Sequence, residues 1–328
     1  MDKDWRNDMS LIFGMSLRKL KEYKGRNPRP KDFDKFWERG LSEMNSIAPK
    51  IKIVPAKFQV PFCKCLHLYF TGVGGARVHA KVLRPKKPAK KHPAILMFHG
   101  YSCSSGDWYN KLAYAALGYT VAYLDCRGQG GLSEDKGGVT GWTLHGHIVR
   151  GLSDSPEKLL FRNIFLDVAQ IAKIVMEMSD VDENRVGAIG GSMGGALSLV
   201  CAALEPRIRR VAPNYPFLCD YKGVCEMDVT KTAYAEFHDY FRKFDPLHER
   251  EEEFFNKLGY IDVQHFCSRI KAEVLMGTGL MDTDCPPFSQ FAAYNKIKSK
   301  KTLEIYPDFA HEDFPYHNDK IFQFMSNL

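Results

Sequence analysis

The sequence predicts an α/β fold in which a mostly parallel central sheet carries helices on both faces. Short, nearly continuous apolar runs alternate with helical patterns, which is typical of parallel strands buried on both faces. These runs lie at 94–98, 120–124, 185–189, 210–213, 273–276 and 302–305. An alternating apolar and polar pattern precedes them and predicts an antiparallel hairpin. The 328 residues, 45% of them hydrophobic, can fill one large core, and no Pro/Gly/Ser-rich linker divides them. We therefore expect a single domain over residues 1–328.

Three segments precede or interrupt the alternating pattern of that domain. Residues 1–50 form an N-terminal extension that we expect to be helical over 16–47. The hairpin is predicted from residues 56–70 and 75–84, which flank a glycine-rich turn. A long segment rich in aromatic residues, 214–268, lies between the fourth and the fifth apolar run, and we call it the excursion. We expect it to cover a site at the carboxyl ends of the strands.

Composition excludes several classes of function. The net charge of +7 comes from dispersed basic residues, and the densest run, Lys86 to Lys91, contains a proline and lacks an aromatic platform. We interpret that run as a solvent-exposed loop and expect no nucleic-acid partner.

No apolar stretch approaches the roughly 18 residues that span a bilayer, and Met1 to Asp8 is charged, so we expect a cytoplasmic protein without a membrane partner. Nine cysteines agree with a reducing compartment, and Cys63 and Cys65 lack a second ligand pair for zinc. We expect no metal and no cofactor.

Ser192 is the candidate nucleophile. It is the serine of a Gly-x-Ser-x-Gly turn between the apolar strand 185–189 and an apolar helix. Glycines two residues on either side are needed because side chains there would collide with the strand and the helix and bury the hydroxyl. The placement between a strand and a helix supports the assignment more than the motif itself does.

His311 and Asp282 are the candidate base and acid. Each follows a predicted strand, and the order serine, acid, histidine along the chain is that of α/β-hydrolases. His317 is the nearest rival of His311. Asp284 is the alternative to Asp282, and we interpret it as a turn or helix cap ahead of Cys285-Pro286-Pro287. The role of Asp282 would be to fix the tautomer of the imidazole and to stabilise its cation.

An oxyanion hole needs two N–H donors. The residue after the nucleophile, Met193, supplies one, and Tyr101, which follows the first parallel strand, fits the place of the second. The Gly-x-Gly of Gly128 and Gly130 lacks the spacing of a nucleotide-binding loop, and we reject that interpretation.

Eight motifs along nearly the whole length carry a family resemblance. They are Asp32-Phe33-Asp34 with Phe36-Trp37, His99-Gly100-Tyr101, Arg127-Gly128-Gln129-Gly130-Gly131, Gly190-Gly191-Ser192-Met193-Gly194-Gly195, Pro216-Phe217-Leu218-Cys219, Gly279-Leu280-Met281-Asp282, Phe291-Ala292-Ala293-Tyr294-Asn295 and His311-Glu312. At these residues the chain resembles the acetyl xylan esterase and cephalosporin C deacetylase family, carbohydrate esterase family seven.

The resemblance implies an α/β-hydrolase fold with Ser192, Asp282 and His311 as a triad. It implies an oxyanion hole formed by the N–H groups of Tyr101 and Met193, although the family usually has glutamine at position 193. Pro216 is expected to contact the substrate.

The resemblance also implies an intracellular enzyme that acts on acetylated xylo-oligosaccharides and on the 3'-acetoxy group of cephalosporins. Many members assemble as a dimer of trimers. The segment 131–160, with Trp142, His145 and His147, resembles the interface insertion of that assembly.

The sequence thus predicts a homo-oligomeric serine esterase that removes acetyl groups from small carbohydrate esters through an acetyl-enzyme. Two other functions stay open. One is a broad short-chain carboxylesterase or a peptidase on the same fold, because a fold does not fix its substrate. The other is a non-catalytic binding protein that keeps the fold.

Overall fold

The computed structural model describes residues 13–88, 91–136, 138–139, 147–227 and 234–328. Among them, nine strands form one sheet in the order β1-β2-β3-β5-β4-β6-β7-β8-β9. The strands are β1 (Lys52–Pro55), β2 (Cys63–Thr71), β3 (Arg77–Pro85), β4 (His92–Phe98), β5 (Thr120–Leu124), β6 (Val181–Gly191), β7 (Arg210–Asn214), β8 (Glu273–Gly279) and β9 (Lys301–Tyr306).

The sheet has an antiparallel edge and a parallel body. The neighbours β1, β2, β3 and β5 pair antiparallel, whereas every pair from β5 through β4 to β9 is parallel. The predicted hairpin is present as β2 and β3. Strands are also present at all six predicted places, and the α/β fold class is confirmed. The expectation of burial is wrong for β9, which lies at the edge of the sheet and has no buried residue.

The helices of the described residues cover both faces of the sheet. They are α1 (Leu17–Glu22), α2 (Phe33–Ser46), α3 (Leu112–Ala116), α4 (Leu160–Met176), α5 (Met193–Leu204), α6 (Tyr221–Glu226), α7 (Glu236–Phe244), α8 (Glu251–Leu258), α9 (Pro287–Lys296) and α10 (His317–Ser326). Alternate side chains of β4 point to opposite faces. Leu96 joins a large apolar cluster with α4 and α5, and Ile95 joins a second cluster with Tyr114 of α3 and Met325 of α10.

The expectation of helix over 16–47 is wrong in its middle. The extension contains two helices, α1 and α2, and the non-helical stretch between them includes Pro28 and Pro30. Proline lacks the N–H that a helix interior needs and disfavours helical geometry in the residue before it. Trp37 of α2 is fully buried, and its Nε1 donates to the carbonyl oxygen of Tyr260 at 2.9 Å, which fixes the extension to the excursion.

The parallel body brings several segments to one edge of the sheet. The carboxyl ends of β4, β6, β8 and β9 lead into His99, Ser192, Asp282 and the loop of His311 respectively. The excursion 214–268 follows β7 and contains α6, α7 and α8. Within the described ranges, no helix is both long enough and apolar enough to cross a membrane.

Candidate active site

Ser192 lies on a strained turn between β6 and α5. Its backbone angles are φ 56° and ψ −123°, which a non-glycine residue adopts at a cost of about 1–3 kcal/mol. A Cβ at Gly190 would overlap the backbone of Gly194, and one at Gly194 would overlap the carbonyl oxygen of Phe98. The turn is held by Ser192 N–H, which donates to the Asn214 carbonyl at 3.0 Å. This geometry presents the hydroxyl at the edge of the sheet.

Asp282 and His311 form a hydrogen-bonded pair. His311 Nδ1 lies 2.9 Å from Asp282 Oδ2, and the carboxylate is fully buried. The other oxygen of Asp282, Oδ1, accepts the N–H groups of Asp284 and Cys285 at 2.9 and 2.8 Å. Gln290 Nε2 donates to Oδ2 at 3.3 Å. Three donors thus fix one carboxylate beside the imidazole.

The alternative residues, Asp284 and His317, do not form this hydrogen-bonded pair. The backbone of Asp284 donates to Asp282, and it is the Asp282 carboxylate that the histidine contacts. His317 is fully buried at the start of α10, where its ring packs against Tyr306 and Phe314. The structure therefore joins Asp282 with His311, and their catalytic roles stay a prediction.

The Asp282 contact raises the pKa of His311. Burial alone would lower the pKa of this imidazole, but the hydrogen bond and the negative charge of Asp282 outweigh it, and the net direction is upward. A raised pKa makes the neutral ring a stronger base. This is what proton removal from a serine hydroxyl requires.

Cys285 lies next to these groups. Its Sγ is 3.9 Å from Ser192 Oγ, and among the described residues no hydrogen bond joins Ser192 Oγ to His311 in this conformation. Catalytic hydrogen bonds are often long before substrate binds. The ligand atoms of Asp282, Cys285 and His311 lie within 4.8 Å of one another and are the candidates for holding a metal ion. Burial raises the pKa of the Cys285 thiol well above its ordinary value, which opposes the thiolate form that binds metals.

The residues of the two predicted oxyanion-hole N–H groups, Tyr101 and Met193, follow β4 and β6, which are neighbours in the sheet. Met193 is the first residue of α5, so its N–H has no partner within the helix and lies at the positive end of the helix dipole. Tyr101 follows β4 after His99, whose Nε2 accepts the Cys126 N–H at 3.0 Å and ties the two loops together. Within the described ranges, neither the Tyr101 nor the Met193 N–H donates to another protein group.

Gln129 contacts Ser102, the residue after Tyr101, and the side chain of Met193. Its Oε1 accepts the Ser102 N–H at 2.7 Å, and its Nε2 lies 3.3 Å from Met193 Sδ. The Met193 side chain is fully buried, so the residue that replaces the usual glutamine packs against Gln129. The sequence identified Gln129 only as part of a family motif. Its position beside the loop of Tyr101 was not predicted.

Pro216 lies in the first turn of the excursion and is buried. Its chain neighbours border the site, because the Tyr215 ring lies 4.7 Å from the His311 ring and the Phe217 ring lies 5.5 Å from that of Tyr101. The excursion therefore contributes a wall next to the serine. Contact between Pro216 and a substrate stays a prediction.

Glu236, the first residue of α7, is a fully buried carboxylate that the sequence did not single out. Its oxygens accept the N–H groups of Ile148 and Val149 at 2.9 and 3.3 Å, and Oε1 lies 3.5 Å from the hydroxyl of Tyr101. Burial raises the pKa of Glu236 to about 7. No local pattern marks Glu236 in the sequence, because its partners lie 87 to 135 positions away.

Only part of the expected interface insertion is described. Trp142 and His145 lie outside the described residues, whereas the N–H of His147 donates to the Tyr101 hydroxyl at 2.6 Å. The middle of this segment therefore contacts the side chain of Tyr101, whose N–H is one of the two predicted donors.

The chain is similar to known acetyl xylan esterases over almost its full length. A family model described as acetyl xylan esterase matches residues 9–328. Acetyl xylan esterase 1 from Thermoanaerobacterium sp. JW/SL YS485 is 58% identical and covers 95% of this chain and 98% of its own, with a TM-score of 0.94. The acetyl xylan esterase from Paenibacillus sp. R4 is 30% identical and covers 95% of this chain and 99% of its own, with a TM-score of 0.91.

A curated relative is more distant. The acetyl esterase Axe7A of Xylanibacter ruminicola is 27% identical over 304 residues, which are 91% of this chain and 66% of that protein. This chain thus spans just under two thirds of that relative's length. The family model and the two solved esterases match nearly the whole of this chain. This chain belongs to the acetyl xylan esterase family and is a carboxylic ester hydrolase with the α/β-hydrolase fold.

Proposed function

We propose that Ser192, His311 and Asp282 form the catalytic triad of a serine esterase that removes acetyl groups from small acetylated carbohydrates such as xylo-oligosaccharides. The observation that carries this proposal is the 2.9 Å contact of His311 with a buried Asp282 beside a strained serine turn. Cephalosporin C, which carries an acetoxy group, is a second expected substrate.

In the first half-reaction, Ser192 Oγ attacks the acetyl carbonyl carbon while His311 Nε2 takes the hydroxyl proton. Asp282, bound at Nδ1, holds the proton on that nitrogen and stabilises the imidazolium that forms. The tetrahedral intermediate collapses when His311 returns the proton to the sugar oxygen. The sugar hydroxyl leaves, and Ser192 carries the acetyl group.

In the second half-reaction, His311 takes a proton from water, and the resulting hydroxide attacks the acetyl-enzyme. Collapse of the second intermediate returns the proton to Ser192 Oγ and releases acetate. In both intermediates the carbonyl oxygen is negative. The N–H groups of Tyr101 and Met193 are the donors that would bind it, and such donors contribute more to the transition state than to the ground state.

The wall next to Ser192 supports a small acyl pocket. Tyr215 and Phe217 place aromatic rings against His311 and Tyr101, and the Met193 side chain is buried in the adjacent helix start. We expect this pocket to fit the small acetyl group. Longer chains would have to displace these rings.

We further propose a cytoplasmic homo-oligomer, a dimer of trimers, assembled through the segment 131–160. The family resemblance supports the assembly, and His147, in the middle of this segment, donates its N–H to the hydroxyl of Tyr101. The nine cysteines, all of which lie in the described ranges, form no disulfide there, which supports a reducing compartment.

Acetate release from acetylated xylobiose tests the proposal. We expect the wild-type chain to release acetate and Ser192→Ala to lose activity by a factor of about 10⁴ or more. Ser198→Ala is the matched control, because Ser198 lies in α5, the helix that follows Ser192, and its hydroxyl donates to the Gly195 carbonyl at 2.7 Å. Near-normal acetate release by a folded Ser192→Ala would overturn the assignment. Equal turnover of octanoate esters, or cleavage of a prolyl amide, would favour a broad carboxylesterase or a peptidase instead.

A further inference from the structure

We propose that Glu236 is a positioning residue for the oxyanion hole and acts through the hydroxyl of Tyr101. The proposal rests on the function proposed above, because it assumes that the Tyr101 N–H binds the developing oxyanion. It assigns a role in the reaction to a side chain of the excursion that does not touch the reacting atoms.

Glu236 gathers three donors from two other segments. Its Oε1 accepts the Ile148 N–H at 2.9 Å and lies 3.5 Å from the Tyr101 hydroxyl, and its Oε2 accepts the Val149 N–H at 3.3 Å. The side chain is fully buried. A buried carboxylate is costly unless its oxygens are hydrogen-bonded, so these contacts hold α7, the 147–149 segment and the Tyr101 loop together.

The Tyr101 side chain is held at both its ring and its hydroxyl. The hydroxyl oxygen accepts the His147 N–H at 2.6 Å, which leaves the hydroxyl proton to point at Glu236. The ring contacts the rings of His147 and Phe217 at 5.7 and 5.5 Å. Fixing both ends of this side chain restricts the backbone of Tyr101, and with it the direction of its N–H.

Above its pKa of about 7, Glu236 is a carboxylate, and a carboxylate fits this place better than an amide. Glutamine offers one acceptor oxygen and an NH₂ group that donates only, whereas three donors converge on the two oxygens of Glu236. In Glu236→Gln, the new NH₂ group would therefore lie opposite at least one of these three donors, and no hydrogen bond can form between two donors. The same-sized side chain would loosen the clamp without removing its volume.

A loosened Tyr101 should affect the transition state and spare substrate binding. The oxyanion forms only after attack, and a donor that is misplaced then contributes less. We expect Glu236→Gln and Tyr101→Phe each to lower kcat on p-nitrophenyl acetate by about 10- to 100-fold, with KM within about twofold. Affinity for a trifluoromethyl ketone, which forms a tetrahedral adduct with serine, should fall by a similar factor.

A double-mutant cycle separates positioning from general stability. If Glu236 acts through the Tyr101 hydroxyl, Glu236→Gln combined with Tyr101→Phe should be no worse than the more damaged single variant. Tyr119→Phe is the matched control, because Tyr119 is a buried tyrosine whose hydroxyl donates to the Ser326 carbonyl at 3.0 Å and whose ring lies in the second apolar cluster, with Met325. It should keep wild-type kcat.

Multiplicative losses in the double variant would overturn the proposal, as would a lower Tm with unchanged kcat or a loss confined to KM. If Glu236→Gln does not fold, Tyr101→Phe decides alone, since it removes one hydroxyl and keeps the ring and the backbone N–H. Failure of the proposed function is distinguishable, because the wild-type chain would then release no acetate in the first place.

Discussion

Replacing Asp282 with asparagine tests which carboxylate orients His311. The structure predicts how the new amide would lie. Oδ1 of Asp282 accepts two backbone N–H groups, from Asp284 and Cys285, so the amide oxygen keeps that place. The NH₂ group then takes the position of Oδ2, 2.9 Å from His311 Nδ1. His311 must accept there, its proton moves to Nε2, and the ring can no longer take the proton of Ser192.

The expected loss in kcat is about 10⁴-fold near neutral pH, or about 5 kcal/mol of transition-state stabilisation. Asp284→Asn is the matched control, because it makes the same change two residues away in a half-buried side chain. It should keep kcat within a few-fold, since only its backbone N–H contacts the Asp282 carboxylate.

The assay is p-nitrophenyl acetate hydrolysis by both variants, with Tm measured to show that each is folded. A folded Asp282→Asn within tenfold of wild type would refute the role of Asp282. A large loss in Asp284→Asn alone would show that the other aspartate is the orienting acid.

Three further predictions concern pH, acyl length and assembly. Because His311 must be neutral to act as the base and its pKa is raised, kcat/KM should fall as pH drops through a value above the ordinary histidine pKa of about 6.5. A pH–rate profile with its acid limb below that value would contradict this. Activity on p-nitrophenyl esters should fall steeply beyond propionate, since each unaccommodated methylene costs about 1–3 kcal/mol. An octanoate kcat/KM equal to that of acetate would contradict the small pocket. Light scattering at micromolar concentration should show an oligomer, and a species of only 37.4 kDa would refute it.

The fold followed from local patterns because each buried strand of a parallel sheet is a short apolar run. The sequence did not predict β1, which has only four residues, two of them lysine and proline, and so lacks that pattern. The break between α1 and α2 could have been predicted from Pro28 and Pro30.

The candidate triad could be predicted from the sequence, because each member follows a strand and the chain order is specific. The residues that support the two N–H donors could not be predicted from the sequence. Gln129 contacts Ser102 and Met193 from a different loop, and Glu236 contacts Tyr101 from the excursion. These contacts depend on how loops far apart in the chain meet above the sheet, which no periodicity or spacing encodes.

Trapping the acetyl-enzyme shows whether Ser192 is the nucleophile. Wild-type chain and Ser192→Ala are mixed with p-nitrophenyl acetate, quenched in acid within the first turnover, digested and analysed by mass spectrometry. We expect one added acetyl group on the peptide that contains Ser192, and none on that peptide in Ser192→Ala. An unmodified Ser192, with the acetyl group on another side chain such as Cys285 or with turnover retained by Ser192→Ala, would contradict it.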